Sequence, residues 1–258
     1  PFLQGHRASA NAIRALLDLQ GVRGSAVPAI PAHPARPKAL RALRGARGPL
    51  DEAVAARIFE LYGIARPMER IVATPAKAVA AAAAIRGPVA VKALAPELPH
   101  KAKLGGVRLD LRGAREVERA AADVLAAAGT AGARAPKVLV QEMVGGHEVL
   151  VGAIVDERFG PAVTMRPGGA LAESGAAMFV AAPLSARQAA GFVAAQAERC
   201  GLDPGRHDLR AVAKAVEAIA RAAHDLRDRL VSLEANPLVI GRRGAVAVDA
   251  LAEGRAPE

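Results

Sequence analysis

Apolar and polar positions alternate along this chain in two different rhythms. From residue 50 onward, stretches with apolar residues three and four apart are punctuated by short, β-branched apolar runs. Val54, Ile58 and Leu61 predict a helix that begins at Asp51 and stops near Gly63. A short strand follows over 70–73. Thr74-Pro75 then offers an N-cap with proline at the first helical position, and the helix runs to about residue 86. Gly87-Pro88 breaks it. Strands are predicted over 89–94 and 107–111, with a loop over 95–105 between them and a long helix over 114–128 after them. Runs at 138–143 and 148–155 read as two strands joined by a tight Gly145–Gly146 turn. A glycine loop at 167–169 follows Val163. Helices are expected over 185–199 and 208–227, then strands over 231–240 and 245–250 paired across residues 241–244. Mixed alternation of this kind predicts an α/β (α+β) domain with more than one sheet.

The first 48 residues have a different texture. Residues 6–20 read as a short helix with Ile13, Leu16 and Leu17 on one face. Pro28, Pro31, Pro34 and Pro37 then recur at every third position, a spacing that suits polyproline II. The expected organisation is a tail of a preceding segment over 1–23, a Pro/Arg-rich linker over 24–48 and a domain over 49–254. That domain divides into subdomains of about 49–136 and 137–254.

Composition narrows the function classes. Hydrophobic residues make up 52% of the 258, yet only 2% are aromatic and none is Trp, so the core must be built from Ala, Val, Leu and Ile. The single Cys200 rules out an internal disulfide and a cysteine zinc site, which fits a reducing, cytoplasmic setting. No signal-peptide pattern and no charge-free apolar run of 18 residues is present, so no membrane role is expected. The net charge is +10, but residues 1–48 hold eight basic residues against one acidic. The remainder carries a small excess, ordinary for a polyphosphate-binding domain. With no helix-turn-helix, zinc-finger or stacking-aromatic pattern, nucleic acid is not the expected partner.

Four segments carry candidate chemistry. Lys92 lies inside the apolar run Val89-Ala-Val-Lys92. A buried ammonium is costly without a partner, so Lys92 is either an edge residue facing water or a cation aimed into a cleft at a phosphate. The loop that follows contains His100, Lys101 and Lys103 and ends in Gly105-Gly106. Glycines let backbone N–H groups approach an anion and lysines neutralise it, though the spacing is not that of a P-loop. Val138-Leu-Val-Gln-Glu-Met-Val144 is an apolar strand with a polar end. It is either plain core or a strand whose free backbone groups meet a base edge. Glu234 and Asn236 share one strand face, and Asp249 lies on the next strand. Two carboxylates and an amide oxygen are hard ligands that suit Mg2+ shared with phosphates. The other reading is a hairpin with ordinary polar positions.

In this order the segments resemble the ATP-grasp domain of NDP-forming (ADP-forming) acyl-CoA synthetases, the acetate–CoA ligase family. The likeness covers about residues 50–252. Its most specific pieces are Pro99-His-Lys followed by Gly105-Gly-Val107, Val140-Gln-Glu-Met-Val144 with Glu148-Val-Leu-Val-Gly152, and Glu234-Ala-Asn-Pro-Leu238 with Val246-Ala-Val-Asp249. The resemblance implies two subdomains gripping ATP or ADP between them. It assigns Lys92 to the phosphates, and Lys101, Lys103, Gly105 and Gly106 to a loop over them. It assigns His100 to phosphoryl relay. Glu142, Met143 and Val144 would hold the adenine, Glu148 would line the cleft, and Asn236 and Asp249 would bind Mg2+ with Glu234 in support. A CoA-binding domain or subunit is the implied partner, and self-association is compatible with it.

The chain departs from the family pattern at 165–180. Met165-Arg-Pro-Gly-Gly169 replaces a Phe-Gly-Leu-Gly-Gly loop. Glu173 survives, while Val180 stands where an arginine is common, and Arg166 is the nearest basic replacement. On this basis Glu173 and Arg166 join His100 and Lys92 as catalytic candidates. The departures bear on turnover more than on nucleotide binding. Two functions are therefore expected: the phosphoryl-transfer portion of an acyl-CoA synthetase, or an ATP-grasp-like regulatory module of a multidomain protein such as an acetyltransferase.

Overall fold

The structure is a computed structural model, and it describes residues 31–95, 105–169 and 178–255. Two compact units, residues 1–32 and 33–258, make up the chain, and the second carries both sheets. The predicted helix over 6–20 lies outside the described residues.

The smaller sheet is four-stranded, in the order β2(Glu69–Val72), β5(Lys137–Glu142), β3(Val89–Leu94) and β4(Val107–Leu111), all antiparallel. Two helices cover one face of it, Pro75–Ala83 (α3) and Ala114–Thr130 (α4). Thr74 caps the first of these by accepting from the Lys77 N–H at 3.3 Å, with Pro75 inside the first turn. Ala78, Ala81, Val117, Ala121 and Val124 meet Val89, Val91, Ala93, Val138 and Val140 in a core of small residues. Small side chains let the helices sit close to the sheet, which explains how an alanine-rich chain packs without aromatics.

The larger sheet has seven strands. Its path runs β1(Gly48–Pro49), β11(Ala250–Gly254), β9(Leu230–Ile240), β6(His147–Asp156), β7(Gly160–Pro167) and β8(Phe179–Ala181), with β10(Ala245–Ala247) paired to the far end of β9. Its core face is covered by α2(Glu52–Leu61), α5(Ala186–Gln196) and α6(Leu209–Asp225). Leu233, Ala235, Leu238 and Ile240 of β9 and Val149, Val151 and Ala153 of β6 bury against Val212, Val216 and Ile219 of α6. Asp208 caps α6 by accepting from the Ala211 N–H at 3.0 Å and also takes the Gly244 N–H at 2.9 Å. Among the described residues no helix is long and apolar enough to cross a membrane.

Three expectations need correction. Residues 31–48 are not a polyproline spacer. Arg36–Ala42 forms helix α1, with Ala39 and Leu43 buried in the large core, and Gly48–Pro49 pairs with Gly254 and Glu253. Pro37 falls in the first turn, where a missing N–H costs nothing. The buried Asp225 anchors this segment, accepting from the His33 N–H at 2.9 Å and from the Tyr62 hydroxyl at 3.1 Å.

The second correction concerns 137–156. Strands β5 and β6 are not a hairpin: β5 lies in the small sheet and β6 in the large one. Met143–Gly146 is therefore a crossing between sheets. Gly146 passes so close to β9 that a Cβ would fall 2.6 Å from the Ile240 carbonyl oxygen. The subdomain boundary at 136/137 moves accordingly, with β2 to β5 on one side. Helix α2, expected in the first subdomain, places Ile58 and Phe59 in the large core. Third, the single closing strand over 245–250 is two strands: β10 and β11 pair with opposite halves of β9 around Val248–Asp249.

Candidate functional site between the two sheets

Each sheet has one face packed on helices and one that is not, and strand alternation decides what the second face presents. On β3 that set is Ala90, Lys92 and Leu94, and on β5 it is Leu139 and Gln141. On β6 it is Glu148, Leu150 and Gly152, on β7 Thr164 and Arg166, and on β9 Glu234 and Asn236. Ala90, Leu139, Leu150 and Val239 are buried, yet they belong to neither helix-covered core. They give the space between the sheets an apolar floor. The sequence did not distinguish them, because a buried apolar residue reads alike on either face.

Lys92 is 3% exposed, and its ammonium rests against the Asp249 carboxylate. This answers the question the sequence left open at Lys92: it is not an edge residue in water. A cation from the small sheet and an anion from the large one meet between the sheets. One residue along, the Gln141 amide donates to the Val248 carbonyl at 3.0 Å and to Glu69 at 2.8 Å. Arg66, its side chain 6% exposed, holds the same Glu69 carboxylate at 2.9 Å. Sequence reasoning missed Arg66, Glu69 and Gln141, since their value lies in contacts between distant segments.

The main chains of Asp249 and Asn236 meet. The Asn236 N–H donates to the Asp249 carbonyl at 3.1 Å, and the Asn236 amide donates to Glu234 at 3.0 Å. That bond leaves the Asn236 carbonyl oxygen directed away from Glu234. Among the described residues no three His, Cys, Asp or Glu side chains cluster as a self-sufficient metal cage. Two carboxylates and one amide oxygen instead fit a Mg2+ that takes its remaining oxygens from phosphates and water.

At the sheet crossing, the Glu142 N–H is taken by the Met68 carbonyl at 2.8 Å and the Met143 N–H by the Pro88 carbonyl at 3.1 Å. The Glu142 carboxylate accepts from the Met68 N–H at 3.2 Å. Val144 follows, half-buried, where the chain leaves the small sheet. Glu148 is exposed and lies under the glycine loop: its carbonyl accepts from the Gly168 N–H at 3.0 Å, and a Cβ on Gly168 would come within 2.7 Å of it. Gly106 accepts from the Ala93 N–H at 2.7 Å, and Gly105, at φ +71°, turns the chain into β4. His100, Lys101, Lys103 and Glu173 lie outside the described residues. Val180 faces Val163 and packs on the large core, whereas Arg166 is on the opposite face of β7.

The model of the ATP-grasp domain matches residues 41–252. The beta subunit of the ADP-forming acetate–CoA ligase I of Pyrococcus furiosus is 29% identical over 210 residues, covering 78% of this chain and 90% of that subunit. The ADP-forming 4-hydroxybutyrate–CoA ligase of Nitrosopumilus maritimus is 27% identical over 201 residues, and the chain spans only 29% of its length. Among solved structures, an acetyl-coenzyme A synthetase of Ca. Korarchaeum cryptofilum in complex with coenzyme A and Ca-AMPCP superposes with a TM-score of 0.76 at 27% identity, covering 86% of this chain and all of that one. Another complex of that synthetase, at a TM-score of 0.70, holds coenzyme A and Mg-AMPPCP with its phosphohistidine segment pointing towards the nucleotide binding site. With the two-sheet grip and these matches together, the chain belongs to the ATP-grasp domain family, in the branch of the ADP-forming acyl-CoA synthetases.

Proposed function

We propose that the cleft between the sheets binds a nucleoside triphosphate with Mg2+ and serves the phosphoryl-transfer half of an ADP-forming acyl-CoA ligase. The observation that carries this reading is the meeting of Lys92 with Asp249 beside Asn236. A buried cation pairs with one hard oxygen ligand, and the main chain of a second bonds to that of the first, a layout that suits a metal–polyphosphate. In this reading Lys92 would hold a phosphate oxygen, and Asp249 and Asn236 would hold the metal with Glu234 in support.

The base would lie over Ala90, Leu139 and Leu150, with the Val144 backbone against its edge and Glu142 and Met143, whose N–H groups are already taken by Met68 and Pro88, beside it. Gly105 and Gly106 and the cations Lys101 and Lys103 are assigned to the phosphates, and Glu148 to the wall under the glycine loop. A bound Mg2+ supplies charge neutralisation and alignment of the phosphoryl group. The protein holds the polyphosphate in line and keeps water out of the apolar floor.

A histidine would take the phosphoryl group as its bond to the β-phosphate oxygen breaks and ADP leaves. His100 of this chain and a phosphohistidine segment like that of the Ca. Korarchaeum enzyme are the two acceptors, and Glu173 supports that step. By analogy with the P. furiosus subunit, the complete reaction needs a CoA-binding partner. A thermal-shift comparison of ATP, ADP, GTP and GDP with and without Mg2+ tests the reading, because a ligand of the native state raises the melting temperature. A rise with Mg2+ and an adenine nucleotide is expected. No rise with any of the four contradicts it.

A further inference from the structure

A cavity of about 250 Å3 lies on the helix-covered side of the large sheet and shares no lining residue with the cleft between the sheets. One wall is α6, and the other is Tyr62 and Gly63, which follow α2. His33 stacks on Tyr62 with 4.7 Å between ring centroids and belongs to that second wall. The buried Leu184 and Ala218 of α6 add apolar surface. The space is smaller than a drug-sized site, so it admits only a small molecule.

The α6 wall is charged. Lys214, Glu217 and Arg221 stand three and four residues apart and share one helix face. At that spacing Glu217 could pair with either neighbour. Among the described residues, however, none of the three makes a hydrogen bond or an ion pair. The next carboxylate along the helix, Asp225, is turned to the His33 N–H at 2.9 Å and the Tyr62 hydroxyl at 3.1 Å. Glu217 and Arg221 are half-buried, so solvent serves them only in part. Their charges are opposite, uncommitted and one helical turn apart. In the same cavity the Ala35 N–H donates to His33 Nδ1 at 3.2 Å, which puts the ring proton on Nε2. That second ring N–H has no partner among the described residues.

We infer that this cavity is a binding site for an apolar α-amino acid. The ligand's carboxylate lies between two donors, the Arg221 guanidinium and the His33 Nε2–H. Its ammonium lies at Glu217, whose Cβ is about 6 Å from that of Arg221, a span that two charged groups on one carbon can bridge. The apolar side chain rests on Tyr62, Leu184 and Ala218. A ligand with one charge would satisfy one of the two half-buried side chains and leave the other without a partner, whereas a zwitterion satisfies both. Lys214 is exposed and stays in water. The site is independent of the nucleotide reading, and neither stands or falls with the other.

Isothermal titration of the full chain with L-phenylalanine, 3-phenylpropanoate and phenethylamine tests this. The two analogues keep the ring and carry only one of the two charges. Wild type is expected to bind L-phenylalanine and to bind either analogue at least about tenfold more weakly. Arg221→Gln and Glu217→Gln should each weaken L-phenylalanine about tenfold, and Lys214→Gln by less than about twofold. Melting temperatures show that each variant folds, and if one of the first two does not, the other decides. No binding of L-phenylalanine by wild type overturns the site. So does 3-phenylpropanoate bound as tightly as L-phenylalanine, and so does L-phenylalanine binding that Arg221→Gln and Glu217→Gln both keep.

Discussion

The Lys92 ammonium of the small sheet rests on the Asp249 carboxylate of the large sheet, and this ion pair spans the cleft. Lys92 is almost wholly enclosed while Asp249 keeps 30% of its side-chain exposure, so the two partners are not equally committed. The enclosed lysine depends on its partner. The carboxylate is still reached by solvent.

That asymmetry predicts the effect of removing one partner. Asp249→Ala leaves an enclosed ammonium without a counter-charge and is expected to cost about 2 kcal/mol, less than a fully buried pair because solvent reaches the carboxylate side. Adding Lys92→Met should restore most of the loss. Urea unfolding of the two single variants and the double variant measures this. A double variant less stable than Asp249→Ala would show that the lysine is not paired as described.

Gln141 is the second tie between the sheets. Its amide serves both Val248, beside Asp249, and Glu69, which Arg66 also holds. Gln141→Leu removes the donor from both acceptors inside the protein, and about 1–2 kcal/mol of stability should go with it. Glu69→Gln, which keeps hydrogen-bonding capacity but removes the charge beside Arg66, should cost a similar amount. Chemical denaturation checks both, and no change in either would place these contacts outside the energetics of the fold.

Acid sensitivity follows from Asp208. Backbone N–H bonds from Ala211 and Gly244 hold its carboxyl below the usual carboxylate range. A depressed folded-state value means its contribution is fully present above the unfolded carboxylate value, near 4. It is lost as pH falls through the lower folded value. Asp208→Asn should therefore flatten stability against pH below about 4 while keeping most of the cap, and Asp208→Ala should cost about 1 kcal/mol at neutral pH. Melting temperatures from pH 3 to 7 report both effects. A wild type and Asp208→Asn with parallel profiles would contradict the assignment.

Much of the fold was readable wherever local pattern and local structure coincide. Strands at Val89–Leu94 and Val107–Leu111 have the predicted bounds, and Thr74 and Asp51 cap their helices as their side chains suggest. Lys92 stood out because an ammonium inside an apolar run demands a partner. What stayed hidden was non-local. Gly145-Gly146 between two β runs has the local signature of a hairpin, but pairing is decided by which sheet each strand joins. Gly146 is needed for its approach to Ile240 rather than for a tight turn. The α1 segment misled because proline spacing is a backbone signal. Burial of Ala39 and Leu43 depends on a surface supplied by distant helices. Leu139 and Leu150 looked like core for a similar reason, since alternation marks a face as buried without saying what lies against it.

The proposed grip on a polyphosphate between the sheets consists of one cation and one metal-ligand pair. Titration of ATP into wild type and Lys92→Ala, each with Mg2+ and with EDTA, tests it most directly. Wild-type binding is expected to depend on Mg2+ and to weaken at least about tenfold in the variant, the loss of a charge-assisted contact. Equal affinity in the two proteins, or wild-type binding that ignores the metal, would contradict it.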